Sequence, residues 1–298
     1  AGHCPHHGAH MNRWITGARP RTLPAAVVPV AVGAAAAVGV DAADGIVWWR
    51  VGAALVVSLA LQVGVNFAND YSDGVRGTDD VRVGPVRLVA SGLATPHAVK
   101  RAALLSFGVA AIAGLAVALD TSLWLLAVGV AAIAAGWFYT GGPKPYGYLG
   151  LGEVFVFVFF GLVATAGTTY AAVETIIALS VVMGCAVGSL ACALLVINNL
   201  RDIPTDREVG KRTLAVRLGD SRTRWFYVGL IVAAFLATAG AAAWRPWVLV
   251  SSVAIPLAVP PVRRVLGGAT GAQLIPVLGE TGRLQLVWGV LAAVGLAL

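Results

Sequence analysis

The stretch Asn66-Phe-Ala-Asn-Asp70-Tyr-Ser-Asp73 closes an apolar run that begins near residue 46, and Asn198-Asn-Leu-Arg-Asp202-Ile-Pro-Thr-Asp206 closes a second that begins near 176. In both, an Asn stands four residues before an Asp, and the two copies start 132 positions apart in a chain with only 14 Asp and Glu. Carboxylates at the end of a long apolar run are costly unless something binds them, so the pair reads as a cation and anion site at a membrane surface. Hydrophobic residues make up 58% of the chain and charged residues 12%, with a mean hydropathy of +0.83. That composition excludes an ordinary soluble domain and defines an integral membrane protein.

Outward from the two clusters, apolar runs fall near 22–40, 46–68, 102–119, 121–139, 149–172, 176–198, 225–243, 246–262 and 283–298, which predicts nine transmembrane helices, several of them short. The runs are continuous and rich in Ala, Leu and Val, whereas strands of a membrane barrel alternate, so the expected fold class is an all-α polytopic bundle. Abundant Gly and Ala suit close helix packing in lipid. The first run follows Arg19 and Arg21, exceeds signal-peptide length and lacks a cleavage site, so it is expected to be retained. Residues 1–12, with four His and Cys4 ahead of Met11, are expected to be a leader or tag, and 13–298 a single membrane domain. Cys185 and Cys192, seven apart on one helix face, read as packing residues.

Counting Lys and Arg in alternate connections sets the orientation. With a cytoplasmic N-terminus, 19 of the 21 basic residues fall on the inner side and only Arg50 and Arg245 on the outer, which places both acidic clusters at the cytoplasmic face. The net charge of +7 then reflects orientation rather than nucleic-acid binding. The inner connections after the second and sixth runs are long and charged, and stretches of helical character near 92–101 and 213–222 are expected to cap the clusters. The clusters end the second helix of each four-helix half, which suggests a parallel pseudo-repeat.

Residues four apart on a helix share a face, so Asn66 can point with Asp70, Asn198 with Asp202, and Asp202 with Asp206 if the helix continues across Pro204. Carboxylate and amide oxygens are hard ligands matched to Mg2+, which is commonly held by one or two carboxylates plus substrate phosphates. Helix ends near water also carry Asp simply to cap or turn the chain, a reading that two matched clusters interleaved with cations disfavour. Arg76, Arg82 and Arg87 follow the first cluster, and Arg201, Lys211 and Arg212 surround the second. Arg grips phosphate oxygens through paired hydrogen bonds, and Gly210-Lys-Arg-Thr213 sets two consecutive cations on a flexible Gly. A third segment, Trp137-Phe-Tyr139-Thr-Gly-Gly-Pro-Lys144-Pro-Tyr146-Gly-Tyr148, lies at the same face, and Glu153 follows it just inside the next helix. Its aromatics shield a cation, line an apolar channel, or form an interfacial belt.

Taken with Gly17-Ala-Arg-Pro-Arg-Thr-Leu-Pro24, Gly-Thr-Asp79-Asp80, Gly84-Pro-Val-Arg-Leu-Val89 and the run from Gly210 to Gly219, these motifs resemble the UbiA prenyltransferase superfamily, in its naphthoate branch. The resemblance implies a nine-helix bundle in the bacterial inner membrane, with a polar cavity open to the cytoplasm and a lateral route for a lipid chain. It implies polyprenyl diphosphate and 1,4-dihydroxy-2-naphthoate as substrates and Mg2+ as cofactor. Asp70, Asp73, Asp202 and Asp206 would carry the metal, with Asn66 and Asn198 or Asn199 assisting, and Lys211 and Tyr139 join them as catalytic candidates. Asn69, Arg76, Arg82, Lys144, Arg201, Arg212 and Glu153 are candidates for substrate binding, and Asp79 and Asp80 for extra ligands or acid–base groups. Arg19 or Arg21 either orients the naphthoate carboxylate or anchors the first helix. The competing readings are another aromatic prenyltransferase of the same superfamily, and a secondary transporter, whose intramembrane acids would sit near the bilayer midplane.

Overall fold

A computed structural model describes residues 12–41, 45–78 and 86–298, which contain helices and no strand. Residues 1–11, with Cys4 among them, and the site candidates Asp79, Asp80 and Arg82 lie outside the described residues. In chain order the helices are α1 (Arg13–Ala18), α2 (Pro24–Ala37), α3 (Trp48–Arg76), α4 (Pro96–Asp120), α5 (Trp124–Phe138) and α6 (Gly152–Val173). They continue as α7 (Ala178–Glu208), α8 (Leu214–Leu218), α9 (Asp220–Ala241), α10 (Pro246–Leu266) and α11 (Leu274–Ala297). Six of them, α3, α4, α6, α7, α9 and α10, are long and apolar enough to cross a membrane, and a seventh span results if the α1 and α2 segments, bent by 50° at their break, count as one. The 15 residues of α5 reach about 22 Å at 1.5 Å each, short of a ~30 Å hydrocarbon core. The apolar face of α11 is interrupted by Glu280 and Arg283.

The helices differ from the apolar runs chiefly at their ends. α3 is 29 residues long and α7 31, or about 43 and 46 Å, so both outrun the hydrocarbon core and carry their Asp clusters on their last turns. α3 stops at Gly77, whose φ of 69° closes the helix in the left-handed region. Pro204 does not end α7, which continues to Glu208. A proline removes one backbone donor, and here that loss falls within the last two turns. α11 begins at Leu274 rather than near 283, because Thr270 and Gln273 form a capping box that starts a helical turn ahead of the apolar stretch. The expected cap near 92–101 is instead the start of α4, N-capped by the Thr95 hydroxyl, whereas the second expectation corresponds to the five-residue α8.

α7 is the central column, with 72% of its apolar window buried against 28–33% for the other spans. It meets α6 backbone to backbone. A Cβ on Gly161 would lie 2.6 Å from the Gly188 Cα and 2.7 Å from the Gly184 carbonyl oxygen, so only Gly fits. At this crossing α6 is wound as a π-helix over Phe157–Val163. At the end of the bundle remote from the Asp clusters, buried Arg50 joins three helices, pairing with Asp120 at the end of α4 and Glu174 after α6, both at 2.7 Å.

Candidate active site

The C-terminal turns of α3 and α7 converge on one cavity of about 1200 Å3. Its polar end carries Asn69, Asp73, Asn198, Asn199, Asp202, Asp206 and Lys211, and its walls run on into an apolar region between α4, α5 and α6 that includes Ile133, Phe155 and Phe159. Asp73 is the hub. One of its oxygens accepts the Tyr148 hydroxyl at 2.7 Å and stands 3.4 Å from the Lys211 ammonium, while the other lies 3.9 Å from the Arg87 guanidinium. The Lys211 ammonium also sits 4.6 Å from the centre of the Tyr148 ring, and the Arg76 guanidinium lies 5.4 Å from it. Tyr148 therefore ties the loop before α6 to both clusters.

These contacts set the charges. Burial pulls the Lys211 ammonium toward neutrality, but Asp73, Tyr148 and Asp206 outweigh it and leave its pKa above the ordinary lysine value. Burial, then the charge of Asp73, raises the Tyr148 hydroxyl above the usual phenol value. Burial, then Glu153, holds Tyr139 well above it too, so Tyr139 faces the cavity as a neutral hydroxyl.

The second cluster is arranged differently. Both oxygens of Asp202 take the fork of Arg201, at 2.6 and 2.7 Å, and the Arg201 side chain is fully buried behind the cavity wall. Asp206 accepts the Thr213 hydroxyl at 3.5 Å, and Thr213 also caps α8. Asn198 turns its amide nitrogen to the Leu194 carbonyl at 3.4 Å, and Asn199 turns its own to Glu153 at 2.8 Å. Neither amide oxygen has a donor among the described residues, so the cavity is offered two acceptors beside its carboxylates.

Several sequence candidates take other positions. Asp70 is fully buried and off the cavity wall, where its oxygens accept the backbone N–H groups of Leu88 (2.8 Å) and Val89 (3.0 Å). A carboxylate desolvated this far needs such donors, and the loop after the first cluster supplies them. Asn66 lines the cavity while its amide nitrogen donates to Ala18 and Thr22. Asn69 accepts from Thr140 at 2.8 Å. Arg76 points outward and donates to the carbonyls of Thr140 and Gly142, while Lys144 and Arg212 are exposed away from the cavity. Glu153 is buried behind Asn199. Arg19 and Arg21 both line the cavity at the bend between α1 and α2, where Arg19 takes a left-handed φ of 53° and donates to the Asn66 carbonyl. Sequence reasoning missed Tyr148 as a partner of Asp73, and missed Arg283 of α11, which also lines the cavity. Tyr148 carries no signal beyond its place in an aromatic loop, but the Thr270 and Gln273 capping pattern marks the start of the helix that positions Arg283.

Among the described residues no three His, Cys, Asp or Glu side chains form a ready-made metal cage. Three carboxylates and two amide oxygens around one cavity nonetheless match a hard divalent cation that completes its shell with water and phosphate.

A helical membrane protein whose cavity joins hard oxygen donors and cations to an apolar channel is built to handle an amphiphile with a charged head. The chain belongs to the UbiA prenyltransferase family, whose model matches residues 26–279. It is 52% identical over 289 residues to the 1,4-dihydroxy-2-naphthoate octaprenyltransferase of Mycobacterium tuberculosis (strain ATCC 25618 / H37Rv), covering 97% of this chain and 98% of that relative. Its fold resembles the apo structure of a UbiA homolog from Aeropyrum pernix K1, with a TM-score of 0.72 and 15% identity over 93% of this chain and 98% of that one. It also resembles a UbiA homolog from Archaeoglobus fulgidus bound to GPP and Mg2+, with a TM-score of 0.64 and 14% identity over 96% of this chain and 100% of that one.

Proposed function

We propose that this chain transfers a polyprenyl group from polyprenyl diphosphate to 1,4-dihydroxy-2-naphthoate, with loss of carbon dioxide, in menaquinone biosynthesis. The observation that carries the reading is the single cavity in which Asp73, Asp202, Asp206 and Lys211 face an apolar channel, in a chain half identical to a naphthoate octaprenyltransferase. Residues 13–298 act as one membrane domain, in which α5 and α11 complete a nine-span bundle. The N-terminus and site face the cytoplasm of a bacterial cell membrane, a reading supported by the charge count.

The residues that would hold Mg2+ are Asp73, Asp202 and Asp206, with the amide oxygens of Asn198 and Asn199. The metal, when bound, offsets negative charge on the departing diphosphate. Lys211 stays protonated beside Asp73 and adds a fixed cation for the same charge, and Arg87 on the far side of Asp73 adds another. Asp70 acts from behind, holding the backbone of residues 88 and 89 and so positioning Arg87. As the allylic carbon–oxygen bond breaks, its electron pair leaves with the diphosphate. The electron-rich ring carbon that bears the carboxylate then bonds to the allylic carbon. Cleavage of the carbon–carboxylate bond returns its electron pair to the ring, giving the quinol and carbon dioxide without an external oxidant. Tyr139 and Tyr148, held neutral, supply hydroxyls and ring faces to the polar end of the cavity.

Purified protein given Mg2+, a polyprenyl diphosphate and dihydroxynaphthoate is expected to release pyrophosphate and carbon dioxide in equal amounts, and chelation to stop both. Asp73→Asn should abolish turnover with little change in thermal midpoint, whereas Asp202→Asn, which leaves the buried Arg201 guanidinium without its carboxylate, and Asp70→Asn should lower both turnover and midpoint. Prenylation of 4-hydroxybenzoate in place of the naphthoate would move the protein to another branch of the family. Full activity in Asp73→Asn and Asp202→Asn would remove the metal assignment.

A further inference from the structure

The ion pairs of Arg50, at the end of the bundle remote from the Asp clusters, take no part in the reaction proposed above, yet the cavity stops at them on three helices. Among the described residues its lining on α3 ends at Ala54, one turn after Arg50. On α4 it ends at Val117, three residues before Asp120, and on α6 at Ala171, three residues before Glu174. Arg50 spans the gap between them. Its guanidinium donates to both acids at 2.7 Å, to the Asp120 carbonyl at 3.0 Å and to the carbonyl of cavity-lining Ala171 at 3.4 Å. The three side chains are layered, with Arg50 inside at 9% exposure and Asp120 and Glu174 outside at 46% and 50%. Glu174 holds a left-handed φ of 56°, which a residue other than Gly keeps where its surroundings fix it. From Asp73 to Ala54, α3 climbs about 28 Å at 1.5 Å per residue, so the channel is long as well as closed by charge. Its side is open, because Leu115 of α4 and Val130 of α5 line it and are exposed.

We infer that Arg50, Asp120 and Glu174 form the floor of the prenyl channel and set the length of tail that the enzyme distinguishes. The inference rests on the prenyl transfer proposed above and deepens it by naming the residues that read the tail. Lipid is as apolar as the channel walls, so a tail gains there by close packing rather than by leaving water. That gain continues along the channel until the tail meets the guanidinium. Displacing Arg50 would break its ion pairs and leave a buried charge without partners, which an apolar tail cannot offset. A tail longer than the channel therefore turns out between α4 and α5, and the units beyond the turn stay in lipid and are not read.

The test gives the full-length enzyme in detergent an equimolar mixture of polyprenyl diphosphates, from geranyl diphosphate to tails longer than the channel, and reads the prenylated products by mass. Each yield is taken relative to wild type at the same tail length, which cancels the tail's own partition into detergent. Gly167 lines the cavity one turn before Ala171, and a Cβ there meets nothing within 4 Å, so Gly167→Leu fills the channel just short of the floor. Its relative yield should be at least about tenfold lower for the longest tails than for geranyl diphosphate, the cost of overfilling a packed space. Arg50→Ala opens the floor, and its relative yield should instead rise with tail length, by about threefold or more. Arg50→Lys keeps the charge and should restore the wild-type distribution. A purely structural ion pair would lower every yield alike, and that outcome in Arg50→Ala would overturn the inference. An unchanged distribution in Gly167→Leu would overturn it too, which gives a reading even if Arg50→Ala folds poorly. Absence of product from wild type at every length would fail the proposed reaction instead, so the two failures are distinguishable.

Discussion

Asp73 shows how one carboxylate can be shared among groups from distant parts of the chain. Tyr148 reaches it from the loop before α6, Lys211 from the loop after α7, and Arg87 from the loop after α3. Tyr148→Phe removes the hydroxyl bond but keeps the ring under Lys211, so kcat/KM should fall about tenfold with the fold intact. Lys211→Met removes a cation aimed at developing charge and should cost on the order of 100-fold in kcat. The pKa of Lys211 is raised in the folded state. Its contribution to stability is therefore complete below the ordinary lysine value and is lost as pH rises through the higher folded value. A pH profile should consequently show no Lys211 limb at neutral or mildly alkaline pH, and an activity loss near pH 8 that disappears in Lys211→Met would contradict the assignment. At this scale the sequence was legible only in part. The Asn and Asp spacings marked the two helix ends, but the inward turn of Asp70 and the outward turn of Arg76 depend on the loop backbones at 88–89 and 140–142, for which spacing carries no signal.

Among the elements, the apolar runs located the helices well and their ends poorly. Hydropathy reports where a helix meets lipid, and α3 and α7 continue past that point as hydrogen-bonded helices in a polar setting. The site depends on those extra turns, because they carry Asp70, Asp73, Asp202 and Asp206. α11 was foreshortened for a related reason: Glu280 and Arg283 lower its hydropathy, yet they lie inside the helix, with Glu280 paired to Arg264 at 2.8 Å. The close crossing of α6 and α7 at Gly161, Gly184 and Gly188 gives this level its own test. Gly188→Leu would force the two backbones apart and should cost about 1–3 kcal/mol, read as a lower thermal midpoint in detergent. The same change at Gly210, where a Cβ meets nothing within 4 Å, should perturb packing far less and serve as a control, although the φ of 76° there adds local strain.

For the whole molecule, the split of 19 inner to 2 outer basic residues makes a topological prediction. In a background without native cysteines, Cys introduced at Ala243 should react with a membrane-impermeant maleimide applied to spheroplasts, and Cys at Gly210 only after the membrane is opened. The reverse pattern would turn the protein over. Class was readable from composition because lipid imposes it on every span. The cavity was not, since its walls come from most of the helices and no local pattern records which faces they turn inward.

The union of a charged end and an apolar channel in one cavity has a consequence for how the cycle ends. The diphosphate, beside Lys211 and Arg87, and the carboxylate of the aromatic acceptor are the two charges by which the polar end would grip the substrates, and the proposed reaction discards both. The product that remains is neutral and oily, has nothing for either handhold, and is left in a channel that continues into hydrocarbon. Turnover on this scheme needs no separate device to eject the product: the chemistry itself erases the reason for staying, and the membrane collects what the polar end has let go.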